Sequence, residues 1–234
     1  MQINKQNIIF ISGTDTNVGK TYITGLIAQQ LQSKKCSTIT QKWVQSGSTD
    51  YDDINEHLKL QNKPFSEIAP FINAVCPYLF KFPASPHLAA QVENKEVSVQ
   101  KCLTATHILS NKADFLLIEG SGGLMVPLNT QETTADCLEK TKFPTILVVK
   151  NGLGCINHAL LSIEALKHRQ VPLVGLIFTQ ANPDENELVI QDNPKIVAKL
   201  AGLNTVATLS YNPNQEEITS QLASIIKKII DIKG

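Results

Sequence analysis

Residues 13 to 21, Gly-Thr-Asp-Thr-Asn-Val-Gly-Lys-Thr, stand directly behind the apolar run Ile8-Ile9-Phe10-Ile11. No other stretch limits the possible folds so strongly. An apolar strand, a glycine-bearing turn and Gly-Lys-Thr at the start of a helical pattern form the setting of a phosphate-binding loop. Amide N–H groups at such a turn, and at the helix N-terminus behind it, offer phosphate donors and a positive dipole end. In that role Lys20 reaches terminal phosphate oxygens and the Thr21 hydroxyl meets Mg²⁺. The usual pattern G-x-x-x-x-G-K-[ST] has four residues between its glycines. Here there are five before Gly19: Thr14, Asp15, Thr16, Asn17 and Val18. The wider loop adds hydroxyl donors at Thr14 and Thr16.

The rest of the chain repeats the strand–helix rhythm. Strands are expected over residues 7–12, 37–44, 114–119, 145–150, 173–179 and 205–209, and helices over 20–33, 52–60, 99–111, 154–168, 185–201 and 216–232. Ile23, Leu26, Ile27 and Leu31 recur at helical spacing, whereas Phe115–Ile118 and Ile146–Val149 are apolar throughout. Continuous apolar runs suit strands covered on both faces of a parallel sheet. The expectation is one α/β domain spanning 1–234: a doubly wound, mostly parallel sheet with helices on both faces, of P-loop NTPase type. Its ligands belong at the carboxyl ends of the strands. Residues 62–86 fit worst; with Pro64, Pro70, Pro77, Pro83 and Pro86 they read as a long excursion over one end of the sheet.

Lys plus Arg equals Asp plus Glu at 21 each, so charge gives no argument for nucleic acid or an anionic membrane as partner. The five cysteines are scattered without a CxxC pair. That argues against a disulfide framework and against a zinc site. The N-terminal apolar run is too short for a signal-peptide core, and no stretch approaches a membrane span. A soluble, cytoplasmic protein is the expectation.

Further candidates lie at strand ends. Glu119 closes Phe-Leu-Leu-Ile-Glu-Gly, where a phosphate-loop protein keeps its metal-binding carboxylate. Gly120, Gly122 and Gly123 behind it let backbone approach a ligand. The alternative is a strand-end carboxylate facing solvent. Asp50, Asp52 and Asp53 offer a second metal carboxylate, and Asp50 or Asp52 equally suits a helix cap. Lys42, in Gln-Lys-Trp-Val-Gln-Ser-Gly, lies near the end of the second strand, where a solvated lysine and a pocket lysine are evenly matched readings. Gly152 and Gly154 open a later helix as another anion cradle suited to a carboxylate, with Asn157 and His158 in its first turn; taken alone, a plain strand–helix turn with Asn157 on the surface is the better reading.

Together these segments resemble the dethiobiotin synthetase family. It carries GTDTxVGKT, K-P-V-x-S-G, EGAGG and GxxNH in this order, matched here at 13–21, 42–47, 119–123 and 154–158, with Ser85-Pro86-His87 as a further match. The resemblance spans about the first 180 residues. It implies a homodimeric enzyme that joins CO₂ to 7,8-diaminopelargonic acid with Mg-ATP. A carbamate and then a carbamic-phosphoric anhydride precede closure of a ureido ring. It also implies roles: Lys20, Lys42 and Thr16 in catalysis, residues 14–21 around ATP, and Thr21, Asp53 and Glu119 on Mg²⁺, with Asp52 as fallback for Asp53. Ser46 and Gly122 would lie on the substrate. Its far carboxylate would rest on Gly154, Cys155, Ile156 and Asn157 of the neighbouring subunit.

Four departures accompany the match. Trp43 replaces proline, Ser121 replaces alanine, and Thr179 stands where an adenine-reading asparagine is usual, with Ala207–Ser210 in place of a later G-E-I-P-like segment. Loose base recognition is the expectation. Among rivals, a partition-type ATPase needs lysine where Asp15 stands, and the guanine-reading N-K-x-D pattern at 111–114 ends a helix instead of following a strand. An amide-forming synthetase would share the loop and Glu119 but not KWVQSG or GCINH.

Overall fold

A computed structural model describes residues 7–233. Its centre is a six-stranded, wholly parallel sheet in the order β2-β5-β1-β6-β7-β8. The strands are β1 (Ile8–Gly13), β2 (Thr38–Lys42), β5 (Phe115–Gly123), β6 (Thr145–Lys150), β7 (Leu173–Thr179) and β8 (Val206–Leu209). Period-two alternation splits each central strand between two cores. Ile9 and Ile11 of β1 and Leu117 of β5 pack under α1 (Lys20–Ser33) and α9 (Gln215–Lys233). Ile8, Phe10, Leu116 and Ile118 face the opposite layer, which includes α5 (Val99–Ser110) and α6 (Thr134–Thr141). A third cluster joins Leu147, Val149, Leu176 and Phe178 to α7 (Cys155–His168) and α8 (Glu187–Ala201). The doubly wound α/β expectation is met, and apolar residues on both strand faces are the cause.

Two expectations need correction, and one helix was not expected. The strand expected over 37–44 ends at Lys42, bends at Trp43 and resumes as β3 (Val44–Ser46) in a separate two-stranded parallel sheet with β4 (Tyr78–Phe80). The Trp43 indole is buried edge-on against Phe10, ring centroids 5.4 Å apart, and its N–H donates to Thr106 Oγ1 at 3.0 Å. Past this buried indole the backbone leaves the β5 ladder and pairs with β4. Proline-rich residues 62–86 are largely folded rather than an open excursion. Two 3₁₀ turns (Phe65–Glu67, Ala69–Phe71), α3 (Ile72–Val75) and β4 carry Val75, Cys76 and Phe80 into the core. There Gln41 Nε2 donates to the Ala74 carbonyl at 2.8 Å, which ties the segment to β2. Helix α6 was unexpected: eight residues are too few for a periodic pattern. Its sequence signal was the capping box, in which Thr133 and Asp136 exchange hydrogen bonds.

Burial also sets thiol chemistry. Desolvation pushes Cys76 and Cys137 up to about 12 and Cys102 higher still, and it raises Cys155. Cys36 is half-exposed. Because the thiolate is the reactive form, native protein should give one rapidly titrating thiol out of five with Ellman's reagent. Cys36→Ser should abolish it, and the others should react only after unfolding. Two or more fast thiols would contradict this packing.

Candidate active site

The carboxyl ends of β1, β2 and β5 meet at one cleft of about 490 Å³, lined in part by Thr16, Lys20, Thr21, Lys42, Asp53 and Glu119. Behind β1 the loop turns at Asn17 (φ 56°) and at Gly19 (φ 92°), which is the N-cap of α1. The left-handed backbone at Gly19 favours glycine, and no side chain caps the helix, so its first amides remain free. Gly13, the displaced first glycine, serves crowding instead. A Cβ there would meet Val18 Cγ2 at 2.7 Å and the Asp15 carbonyl at 2.9 Å. Asp15 Oδ1 accepts from the Thr16 amide at 2.7 Å, and Lys20 Nζ donates to the Asp15 carbonyl at 2.8 Å. Burial, aided by repulsion from Lys42, lowers Lys20 to about 8.

Register does the rest. Lys42 and Glu119 are paired neighbours across β2 and β5. Lys42 Nζ lies 2.6 Å from Glu119 Oε1 and 2.8 Å from Asp53 Oδ2. Thr21 Oγ1 sits 2.9 Å from Glu119 Oε1 and 3.2 Å from Asp53 Oδ1. Burial opposes the charge on Lys42, but Glu119 and Asp53 outweigh it and raise the pKa. Burial likewise opposes ionised Glu119; attraction to Lys42 and the hydrogen bond from His57 prevail and hold it at about 2. Lys42 is thus a buried ammonium and not a solvated side chain.

One hydroxyl and two carboxylates converging from three elements make a hard-oxygen set of the kind Mg²⁺ takes together with substrate phosphates. Among the described residues no group of three or more His, Cys, Asp and Glu side chains could hold a metal alone. Asp53 faces this set from α2 (Asp52–Leu60), while Asp52 is exposed. The N-cap of α2 is Tyr51, with no side-chain cap, so neither Asp50 nor Asp52 caps the helix. Asp50 Oδ1 instead takes the Tyr51 amide at 2.7 Å.

Ser46 and Gly122 line the same cleft. Other expected residues lie elsewhere. Thr14 and Asp15 also border a neighbouring hollow with Met125 and Leu161. Thr179 donates its hydroxyl to the Val18 carbonyl at 2.8 Å, bracing the loop from behind. Gly154 (φ 87°) N-caps α7, which opens with Cys155, Ile156 and exposed Asn157; none of these four lines the cleft. Asn193 of α8 holds the turn before it, donating to Asn151 Oδ1 at 2.9 Å and the Gly152 carbonyl at 3.2 Å. The NKAD segment ends α5 and precedes β5, on the opposite side of the sheet from the cleft.

Sequence reasoning missed two participants. Ser121 Oγ donates to the Val44 carbonyl at 2.6 Å, tying β5 to β3 beside the cleft. His57 lies one turn after Asp53, with Nε2 2.8 Å from Glu119 Oε2. Its only sequence signal was the i, i+4 spacing from Asp53.

This sheet, loop and carboxylate set define a P-loop nucleotide-binding α/β protein. Its fold is similar to a ParA family ATPase from Chlorobium tepidum (TM-score 0.54, 15% identity, 97% of this chain and 98% of that one). It is also similar to the MinC:MinD complex of Aquifex aeolicus (0.55, 14%, 97% and 95%). A family model described as an AAA domain matches residues 7–219. Sequence relatives narrow the class. An ATP-dependent dethiobiotin synthetase BioD 2 of Haemophilus influenzae is 39% identical over 191 residues, 81% of this chain and 98% of that protein. The BioD of Chlorobaculum tepidum is 38% identical over 200 residues, 85% and 83%. The chain belongs to the family of ATP-dependent dethiobiotin synthetases, ligases of biotin biosynthesis.

The buried ion pair gives a stability test. Glu119→Ala removes the carboxylate that compensates Lys42, and should lower the unfolding free energy by about 3–5 kcal/mol in urea titrations monitored by circular dichroism. A loss under about 1 kcal/mol, the range of a surface pair, would mean that Lys42 finds water in the cleft.

Proposed function

We propose that this chain closes a ureido ring on 7,8-diaminopelargonic acid with CO₂ and Mg-ATP, giving dethiobiotin, ADP and phosphate. The observation that carries this reading is the convergence of Lys20, Lys42, Thr21, Asp53, Glu119 and Ser46 on one cleft at the mouth of the phosphate loop. One substrate amine attacks CO₂ and loses a proton to form a carbamate. A carbamate oxygen then attacks the γ-phosphorus and displaces ADP. The second amine attacks the anhydride carbonyl carbon and expels phosphate as the ring closes.

Each step collects negative charge on oxygen, and oriented positive groups in a partly buried site stabilise such charge strongly. Lys20 and the free amides at the start of α1 hold the phosphates, with the Thr16 hydroxyl as a further donor. Lys42 touches both carboxylates and lines the same cleft as Ser46. It serves the carbamate and the transferring phosphoryl oxygens. Thr21, Asp53 and Glu119 would hold Mg²⁺, which supplies charge neutralisation to the phosphates when bound. Residues 14–21 wrap the phosphates of ATP, Thr179 backs that loop, and Ser46 and Gly122 face the diamine.

The substrate is a long acid whose carboxylate lies far from its amines, and the helix start at Gly154–Asn157 suits that end. Because this helix start does not line the cleft of its own chain, we propose that it serves the cleft of a second copy in a homodimer. Exposed Leu153, Leu161 and Met125 support such an interface: they are 94%, 62% and 59% exposed, and Leu161 and Met125 border one hollow beside the loop. Action on small molecules in the cytoplasm follows from this reading, with ATP as co-substrate and no nucleic acid or membrane partner. No helix among the described residues is long and apolar enough to cross a membrane.

Phosphate release should require diamine, bicarbonate and Mg-ATP together; release without the diamine would sink the proposed reaction. Lys42→Ala should lower kcat by about 10²–10³, and near wild-type turnover would remove Lys42 from the chemistry. With Thr179 engaged by the loop backbone, selectivity among nucleoside triphosphates should stay below about a hundredfold in kcat/KM, the equivalent of ~2.7 kcal/mol. Competition assays check this. Leu161→Glu should shift the protein toward monomer in light scattering, and an unchanged mass would exclude the α7 face as the interface.

A further inference from the structure

We infer that His57 is a positioning residue for the metal carboxylate. It orients Glu119 so that one oxygen faces Thr21 and the cleft, which sets affinity for the nucleotide's divalent cation. The inference rests on the reading that Thr21, Asp53 and Glu119 hold that cation.

The two oxygens of Glu119 are used unequally. Oε1 takes Thr21 Oγ1 at 2.9 Å and Lys42 Nζ at 2.6 Å, on the cleft side. Oε2 takes the His57 ring nitrogen Nε2 at 2.8 Å, on the buried side. Paired with the Lys42 ammonium, the Glu119 carboxylate accepts, so His57 Nε2 is the donor in this contact. Rotation about the last torsion of a glutamate is broad and roughly two-fold. A donor on the far oxygen therefore fixes the plane of the carboxylate. Thr21 and Lys42 lie on Oε1 and cannot do so alone.

The other nitrogen of His57 marks this as a retained cost. His57 is fully buried, and its Nδ1 has no hydrogen-bond partner. A buried polar atom left unpaired is unfavourable, and an apolar residue of similar volume would avoid that penalty. Packing alone would favour leucine here; the geometry favours a donor aimed at Oε2. Helix α2 adds a second reason. Asp53 and His57 lie one turn apart on one face, so the helix that supplies one carboxylate also supports the other. Supporting hydrogen bonds of this kind fix the orientation of metal-ligating side chains, and their loss typically weakens metal affinity about 10–100-fold.

The test is direct Mn²⁺ binding with a non-hydrolysable ATP analogue, followed by electron paramagnetic resonance of free Mn²⁺. Wild type is compared with His57→Leu, His57→Gln and His57→Asn, and thermal unfolding is measured in parallel. His57→Leu should weaken Mn²⁺ binding about 10–100-fold, and because it leaves Oε2 of a buried carboxylate without a donor its melting temperature should fall as well. His57→Gln, whose amide nitrogen reaches the place of Nε2, should keep most of the affinity. His57→Asn, one bond shorter, should behave like leucine. A merely structural role would not separate Gln from Asn. Wild-type Mn²⁺ affinity in His57→Leu, or equal losses in Gln and Asn, would overturn the inference. If His57→Leu does not fold, the Gln–Asn pair decides. The titration contains neither diamine nor CO₂. A wild type that binds Mn²⁺ with nucleotide yet turns over no diamine removes the proposed substrate and leaves the His57 result standing. A wild type that takes up no Mn²⁺ with the nucleotide overturns the metal site and the inference together.

Discussion

The buried contact between Lys42 and Glu119 organises this protein. The two residues are paired neighbours on parallel strands β2 and β5, and their charges meet at 2.6 Å with almost no exposure to water. Such a pair tolerates no slip of register, because a one-residue shift would turn either side chain to the other face of the sheet. Desolvating both charges is costly, and only tight geometry with further partners offsets it. Those partners are the residues to which the proposed reaction assigns its roles. Asp53 closes on Lys42, Thr21 on both carboxylates, and His57 on the far oxygen of Glu119.

This network links the phosphate loop to the rest of the fold. Thr21 stands at the first turn of α1, so a contact to Glu119 joins the loop after β1 to the middle of β5. Asp53 and His57 bring in α2, and Ser121 draws β3 against β5. Behind it, Thr179 at the end of β7 holds the Val18 carbonyl. The cleft is thus held from four strand ends, which limits the reorganisation needed when charge develops on bound oxygens.

Much of this was legible in the sequence because its signals are local. A continuous apolar run declares a strand covered on both faces, and 3.6-residue spacing declares a helix. The helix over 20–33 and the strands over 145–150 and 173–179 stand where spacing placed them. Glu119 was legible because an apolar run ends on it. The bend at Trp43 was not, since the partners of its indole, Phe10 and Thr106, are remote in sequence. Residues 62–86 were unreadable for a related reason. Their prolines break periodicity, while their ties to β2 are tertiary contacts.

By itself, the sequence determined the fold class, the phosphate loop and the family. It did so through chain-local patterns: an apolar strand, five residues between two glycines, Gly-Lys-Thr, and three later motifs at strand ends. Only the tertiary structure decided which lysine is buried, which of three neighbouring aspartates faces the site, and that a histidine supports the carboxylate. Those outcomes depend on desolvation and on distances of under 3.5 Å between groups 32 to 98 residues apart. Strand register and helix rotation set such distances, and neither is written in any single stretch of chain.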